Sequence, residues 1–102
     1  MYSVLLCTAS INEAEKIART LVEEKLSACV NITPEVNSYF RWEGKVTKEK
    51  EAALIIKIET HKVEEVIKRI KQLHSYQVPE IIALPITAGN EEYLAWIKES
   101  LK

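Results

Sequence analysis

Any chemistry this chain performs has to come from a few side chains. It has two histidines, two cysteines and a scatter of carboxylates. His74 closes an apolar run with helical spacing and is followed at once by Ser75, Tyr76, Gln77, Pro79 and Glu80. A histidine placed there can cap the helix, ligate a metal or act as a general base, because imidazole exchanges its proton near neutrality. In a last turn it is also favoured by the helix dipole, by about 0.3–1 kcal/mol when charged. His61, at the start of the same helix, reads as solvated. Cys7 and Cys29 form no CxxC pair, so they read as reduced thiols, and packing is the plain reading of each. Lys57 and Glu59 follow an apolar run and can pair across subunits or line a cleft. Trp42, Tyr76 and Trp96 read as interface or core aromatics.

Several enzyme classes are excluded by what is missing. The only glycines are Gly44 and Gly89, so no glycine-rich loop can cradle a phosphate. There is neither an HExxH motif nor a nucleophile elbow. The segment Thr8-Ala9-Ser10-Ile11 lacks the glycines of an acylphosphatase anion loop, and the strands lack the stacking aromatics and basic surround of an RNA-binding domain. Fourteen Lys and Arg against 15 Asp and Glu leave no field to draw in nucleic acid or an anionic membrane. The N-terminal apolar stretch is too short for a signal-peptide core or a membrane span. The expectation is a soluble, cytoplasmic, non-enzymatic protein of one domain, residues 1–102.

The elements that must position these residues follow from pattern. Tyr2 to Cys7 reads as a strand. Ser10 and Glu13 match a capping box, opening a helix through Ala14, Ile17, Ala18, Leu21 and Val22 that runs to about Leu26. Ala28 to Ile32 is extended, Pro34 interrupts, and Val36 to Trp42 resumes. Glu43-Gly44-Lys45 reads as a hairpin tip, with a return arm through Ala52 to Ile58. Thr60 is expected to cap a second helix whose stripe is Val63, Val66, Ile67, Ile70 and His74. Glu80 to Ile86 is a strand that Pro85 places at a sheet edge or a bulge. Asn90 caps a third helix.

The order βαββαβ plus a terminal helix predicts an α+β ferredoxin-like sandwich: a four-stranded antiparallel sheet with two helices on one face. The other face should then be polar, yet Leu54, Ile56 and Ile58 oppose Ala53 and Ile55, and Ile81 opposes Ile82. A second apolar face needs a cover, and self-association is the expected one.

Ala28-Cys29-Val30-Asn31-Ile32, Pro34, Ser38, Trp42 and Gly44 resemble the divalent-cation tolerance family, CutA. Lys57, His74 with Tyr76, Pro79-Glu80-Ile81, and Tyr93-Leu94 with Trp96 extend the resemblance over essentially the whole chain. The resemblance implies a ferredoxin-like fold close to that of the PII signalling proteins, and a homotrimer in which long hairpins pair between subunits. It also implies a link to tolerance of copper and other divalent metals, with Cys7 and His74 at the positions of attributed ligands. Leu73 stands where some members carry a further histidine, Ser75 replaces a common proline, Phe40 a frequent tyrosine, and Ile58 a usual threonine.

In a βαββαβ unit the first strand and second helix run in the same sense. Cys7 and His74 therefore share one end of the domain with Glu80 and Gly44, while Cys29 lies at the other. Thiolate and imidazole make half a tetrahedral site, and copper suits them best. Glu80, water or a second subunit would have to complete it. Two readings result: a trimeric metal-responsive protein using Cys7 and His74, or a PII-like signalling or scaffold trimer. In the second, an inter-subunit cleft lined by Lys57, Tyr76 and Glu80 takes a small anion or partner.

Overall fold

The computed structural model describes residues 1–102. Strand β1 (Tyr2–Ala9) leads to helix α1 (Ile11–Glu23), then to β2 (Cys29–Trp42) and β3 (Lys45–Glu59). A 3-10 turn (Thr60–Lys62), α2 (Val63–Leu73), β4 (Ile81–Ile86) and α3 (Glu91–Ser100) follow. The strands form one antiparallel sheet in the order β2-β3-β1-β4. The expected topology is present, and Pro85 lies on an edge strand, where a missing N–H costs no ladder bond.

Local chemistry explains most boundaries. Ser10 caps α1 by accepting from the Glu13 N–H, and Asn90 caps α3 by accepting from the Glu92 N–H at 2.9 Å. Helix α1 ends three residues before the sequence pattern suggests. Lys25 turns to φ 59°, Leu26 N–H bonds back to the Leu21 carbonyl at 2.9 Å, and the Leu26 side chain drops into the core. This is a Schellman closure with lysine in the position glycine usually takes. Thr60 is not the cap of α2. Its hydroxyl is engaged by Ser3 Oγ at 2.8 Å, and Lys62 occupies the N-cap position without a side-chain bond. The pull of the first strand outweighs the local cap.

Strand β2 runs through Pro34 by a bulge between Thr33 and Val36. Beyond Ala52, β3 has no partner but β2, so the two arms project from the body and stretch the molecule to 45 Å by 25 Å by 23 Å. At the tip Glu43 and Gly44 have φ of 49° and 77°, the two positive values of a type I′ hairpin turn.

The core lies between the sheet and the pair α1 and α2. Leu5, Cys7, Leu54, Ile56 and Ile58 meet Ile17, Leu21, Val66 and Ile70 there, all buried. The opposite face carries Leu6 beside Ile82, and Val4 beside Leu84 and Lys57. Helix α3 packs beside β3 and buries Ile97, outside the main core. Ile55, Ile82 and Leu84 remain 37%, 50% and 45% exposed. No helix is long and apolar enough to cross a membrane.

Gly44 has open space where a Cβ would sit, so its substitution tests backbone conformation alone. Gly44→Ala should cost about 1–2 kcal/mol, the price of a left-handed Cβ. The check is the urea midpoint at equal protomer concentration; an unchanged midpoint would show that the turn relaxes to another type.

Candidate metal-response end

The C-terminal ends of β1 and α2 meet, as the topology requires, and His74 sits at their junction. It lies just past the last helical turn rather than within it, in extended conformation at the C-cap, and its N–H still closes on the Ile70 carbonyl. Its imidazole is not used on the carbonyls of its own helix. Nε2 is 2.7 Å from the carbonyl oxygen of Thr8, on β1, and Nδ1 is 3.1 Å from the backbone nitrogen of Tyr76. A carbonyl only accepts and an amide N–H only donates, so the ring satisfies both as the neutral Nε2–H tautomer. The side chain is fully enclosed, and Glu13 Oε1 stands 3.7 Å from Nδ1.

Tyr76 follows with its ring 4.6 Å from the imidazole. Its hydroxyl donates to Glu51 Oε2 at 2.9 Å. Partial burial and this bond to a carboxylate push the phenol up to about 12. Glu51, only 8% exposed, is a member of this end that the sequence did not single out, because only the fold brings Tyr76 over it. Ser75 N–H reaches Glu13 Oε1 at 3.3 Å, and hydrogen bonding from Ser75 lowers the Glu13 carboxyl.

Cys7 is 1% exposed, on the core side of β1, with Ile81 as its neighbour on β4. Burial first, then the charges of Glu80 and Glu51, push its thiol up to about 12. Cys29 is at the opposite end of the sheet, paired in register with Lys57, and both thiols are free.

The other candidates divide. Tyr76 and Glu80 belong to the Cys7 end. Lys57 does not: it lies six residues from Glu51 along β3, about 20 Å away. Its ammonium donates to Asn31 Oδ1 and lies 3.8 Å from Cys29 Sγ. Within one protomer the expected cleft of Lys57, Tyr76 and Glu80 is thus two separate places. Trp42 is 63% exposed at the hairpin tip, and Trp96 stacks on Tyr93 at 5.5 Å with much of its ring exposed. Neither is a core residue. His61 is largely solvated, 3.4 Å from Glu59.

The family model for the CutA1 divalent ion tolerance protein matches residues 2–100. The chain belongs to the CutA1 divalent ion tolerance family. The divalent-cation tolerance protein CutA of Thermus thermophilus is 48% identical over 97 residues, 95% of this chain and 94% of that one. The solved structure of the periplasmic divalent cation tolerance protein CutA from Archaeoglobus fulgidus has a TM-score of 0.96 at 45% identity, covering 100% of both chains. The PII-like protein CutA from Nostoc, solved in apo form, has a TM-score of 0.91 at 34% identity, covering 98% of this chain and 97% of that one. A chloroplastic CutA of Arabidopsis thaliana is 45% identical over 97% of this chain and 55% of its own.

Membership of CutA1 raises the question whether Cys7 and His74 suit a divalent ion. In this conformation they offer a neutral thiol and no free imidazole nitrogen, and no three His, Cys, Asp or Glu side chains converge on one point. The donors of a resident metal would be thiolate and an open nitrogen lone pair. The closed arrangement does not fit a permanently bound ion.

The raised Cys7 thiol has a measurable consequence. The folded state holds its proton between about 9 and about 12, where the unfolded chain has lost it. Stability therefore falls as pH rises through that window. Cys7→Ala should flatten the decline relative to wild type in urea titrations. Equal slopes would mean the thiol ionises as easily folded as unfolded.

Proposed function

We propose that this protein acts as a homotrimer in tolerance of divalent cations, meeting copper as a transient cargo at the Cys7–His74 end rather than as a resident cofactor. The observation that supports the trimer is the outer sheet face, where Ile55, Ile82 and Leu84 stand open on a protomer. Each is worth about 1.5–3 kcal/mol when fully buried. The exposed Trp42 and the projecting hairpin supply a second surface for a neighbouring subunit. The transient character rests on the donor set: a soft sulfur and an imidazole at one end, both satisfied in the absence of metal. The family is named for tolerance and not for a reaction, and the proposal includes no turnover. It also places the protein in the reducing cytoplasm, where both thiols stay free. Relatives named as periplasmic and chloroplastic show that the fold serves other compartments as well.

A PII-like scaffold is the second reading. It is favoured by Lys57, whose ammonium has no carboxylate within ion-pair distance and whose nearest partners are Asn31 and Cys29. Small anions or acidic partners would be drawn to such a cation in a cleft between subunits.

Sedimentation at micromolar concentration should give a trimer, and Leu84→Asp should shift it toward monomer. A monomeric wild type would overturn the assembly. Copper titration in competition with glutathione should lose most affinity in Cys7→Ser and less in His74→Ala. Cys29→Ser should bind as wild type; a loss equal to that of Cys7→Ser would move the cargo site elsewhere.

A further inference from the structure

Cys29 and Lys57 face each other across β2 and β3, on the first rung of that ladder. Lys57 also pairs with Val4 on β1, and Val4 with Leu84 on β4, so one row of the outer face runs Cys29, Lys57, Val4 and Leu84. Directly opposed side chains share a face of the sheet, and Asn31, two residues along β2, shares it too. The Lys57 ammonium donates to Asn31 Oδ1 and lies 3.8 Å from Cys29 Sγ. None of the ion pairs of the protomer uses it. Cys29 is free and only half-buried, within reach of a small solute. Cys7 is sunk in the core on the other face, so no second thiol of the protomer can meet Cys29.

We infer that Lys57 traps oxidised Cys29 as a sulfenamide, a reversible covalent link between β2 and β3 that forms when the protein meets hydrogen peroxide. The Cys29 thiolate attacks one peroxide oxygen; the O–O bond breaks, hydroxide leaves and is protonated to water, and the sulfur becomes a sulfenic acid. A sulfenic acid condenses with a nearby thiol or nitrogen, and is otherwise oxidised irreversibly to sulfinic acid. With no thiol at hand, the amine 3.8 Å away is placed to react. Lys57 gives one proton to solvent and its nitrogen attacks the sulfur. The S–N bond forms, the S–O bond breaks, and the hydroxyl leaves as water with a second proton from the nitrogen. One thiol, one amine and one peroxide thus give a sulfenamide and two waters; the sulfur is oxidised by two electrons and the peroxide reduced by two. Asn31 is a positioning residue, since its amide oxygen holds the nitrogen beside the sulfur. The bond stops Cys29 short of sulfinic acid and removes the Lys57 charge from the outer face.

The inference is independent of copper. In a Cys7→Ala background, where Cys29 is the only thiol, the protein is treated with hydrogen peroxide and its peptides are mapped by mass. The peptides of Cys29 and Lys57 should appear joined, lighter by two hydrogens than their sum, and dithiothreitol should separate them. Lys57→Arg keeps a cation but has no amine to attack with. Its joined peptide should be lost, and Cys29 should accumulate as sulfinic acid. Asn31→Ala leaves the amine unheld and should slow cross-linking roughly tenfold. The inference is overturned if the parent passes to sulfinic acid without a joined peptide, or if Cys29 resists peroxide altogether. A loss of two hydrogens at Cys29 that persists in Lys57→Arg would assign the capture to a backbone nitrogen and overturn it as well. Cross-linking of Asn31→Ala at the parental rate would overturn the positioning role.

Discussion

A four-stranded sheet that is apolar on both faces, with only two helices to cover one of them, is the constraint on which the rest of this molecule depends. In the central strands the alternation that should separate core from solvent instead separates one apolar set from another. Leu5, Leu54 and Ile56 face α1 and α2, while Leu6, Ile55 and the β4 pair Ile82 and Leu84 face away. Helix α3 answers only part of this, through Ile97. Polar residues on that face would make the protomer self-sufficient; their absence leaves an apolar surface of the kind that marks an interaction site. The β2–β3 arms project from the body of the same sheet.

The same topology decides where chemistry can sit. Because β1 and α2 run in the same sense, the chain delivers Cys7 and His74 to one end and leaves Cys29 and Lys57 at the other. A disulfide between the two thiols is geometrically closed off, so each responds to its own surroundings. At the Cys7 end these are apolar packing below and carboxylates beside it. At the Cys29 end they are an ammonium and an amide.

Much of this was legible in the sequence, for local reasons. Ser10, Asn90 and Glu43-Gly44 announce caps and turn within four residues of the groups they satisfy. The meeting of the end of β1 with the end of α2, at Thr8 and His74, followed from strand and helix direction alone. What was not legible depends on partners far apart in the chain. Thr60 looks like a cap until Ser3, 57 residues away, takes its hydroxyl. Glu51 looks solvated until Tyr76, 25 residues on, closes over it. Lys57 stands apart from Tyr76 within one protomer, because the register of β3 puts it at the Cys29 end of the sheet. The end of α1 was misjudged because Lys25 takes a left-handed conformation that sequence patterns assign to glycine.

What makes Cys7 a good core residue makes it a poor resting ligand, and the conflict is informative. Burial stabilises the neutral thiol, and the charges of Glu80 and Glu51 oppose a thiolate further. Those same carboxylates would favour a cation once one arrived, because a positive ion reverses the local electrostatic logic. His74 is held in the same way: its Nδ1 lone pair is intact but already used by the Tyr76 amide N–H.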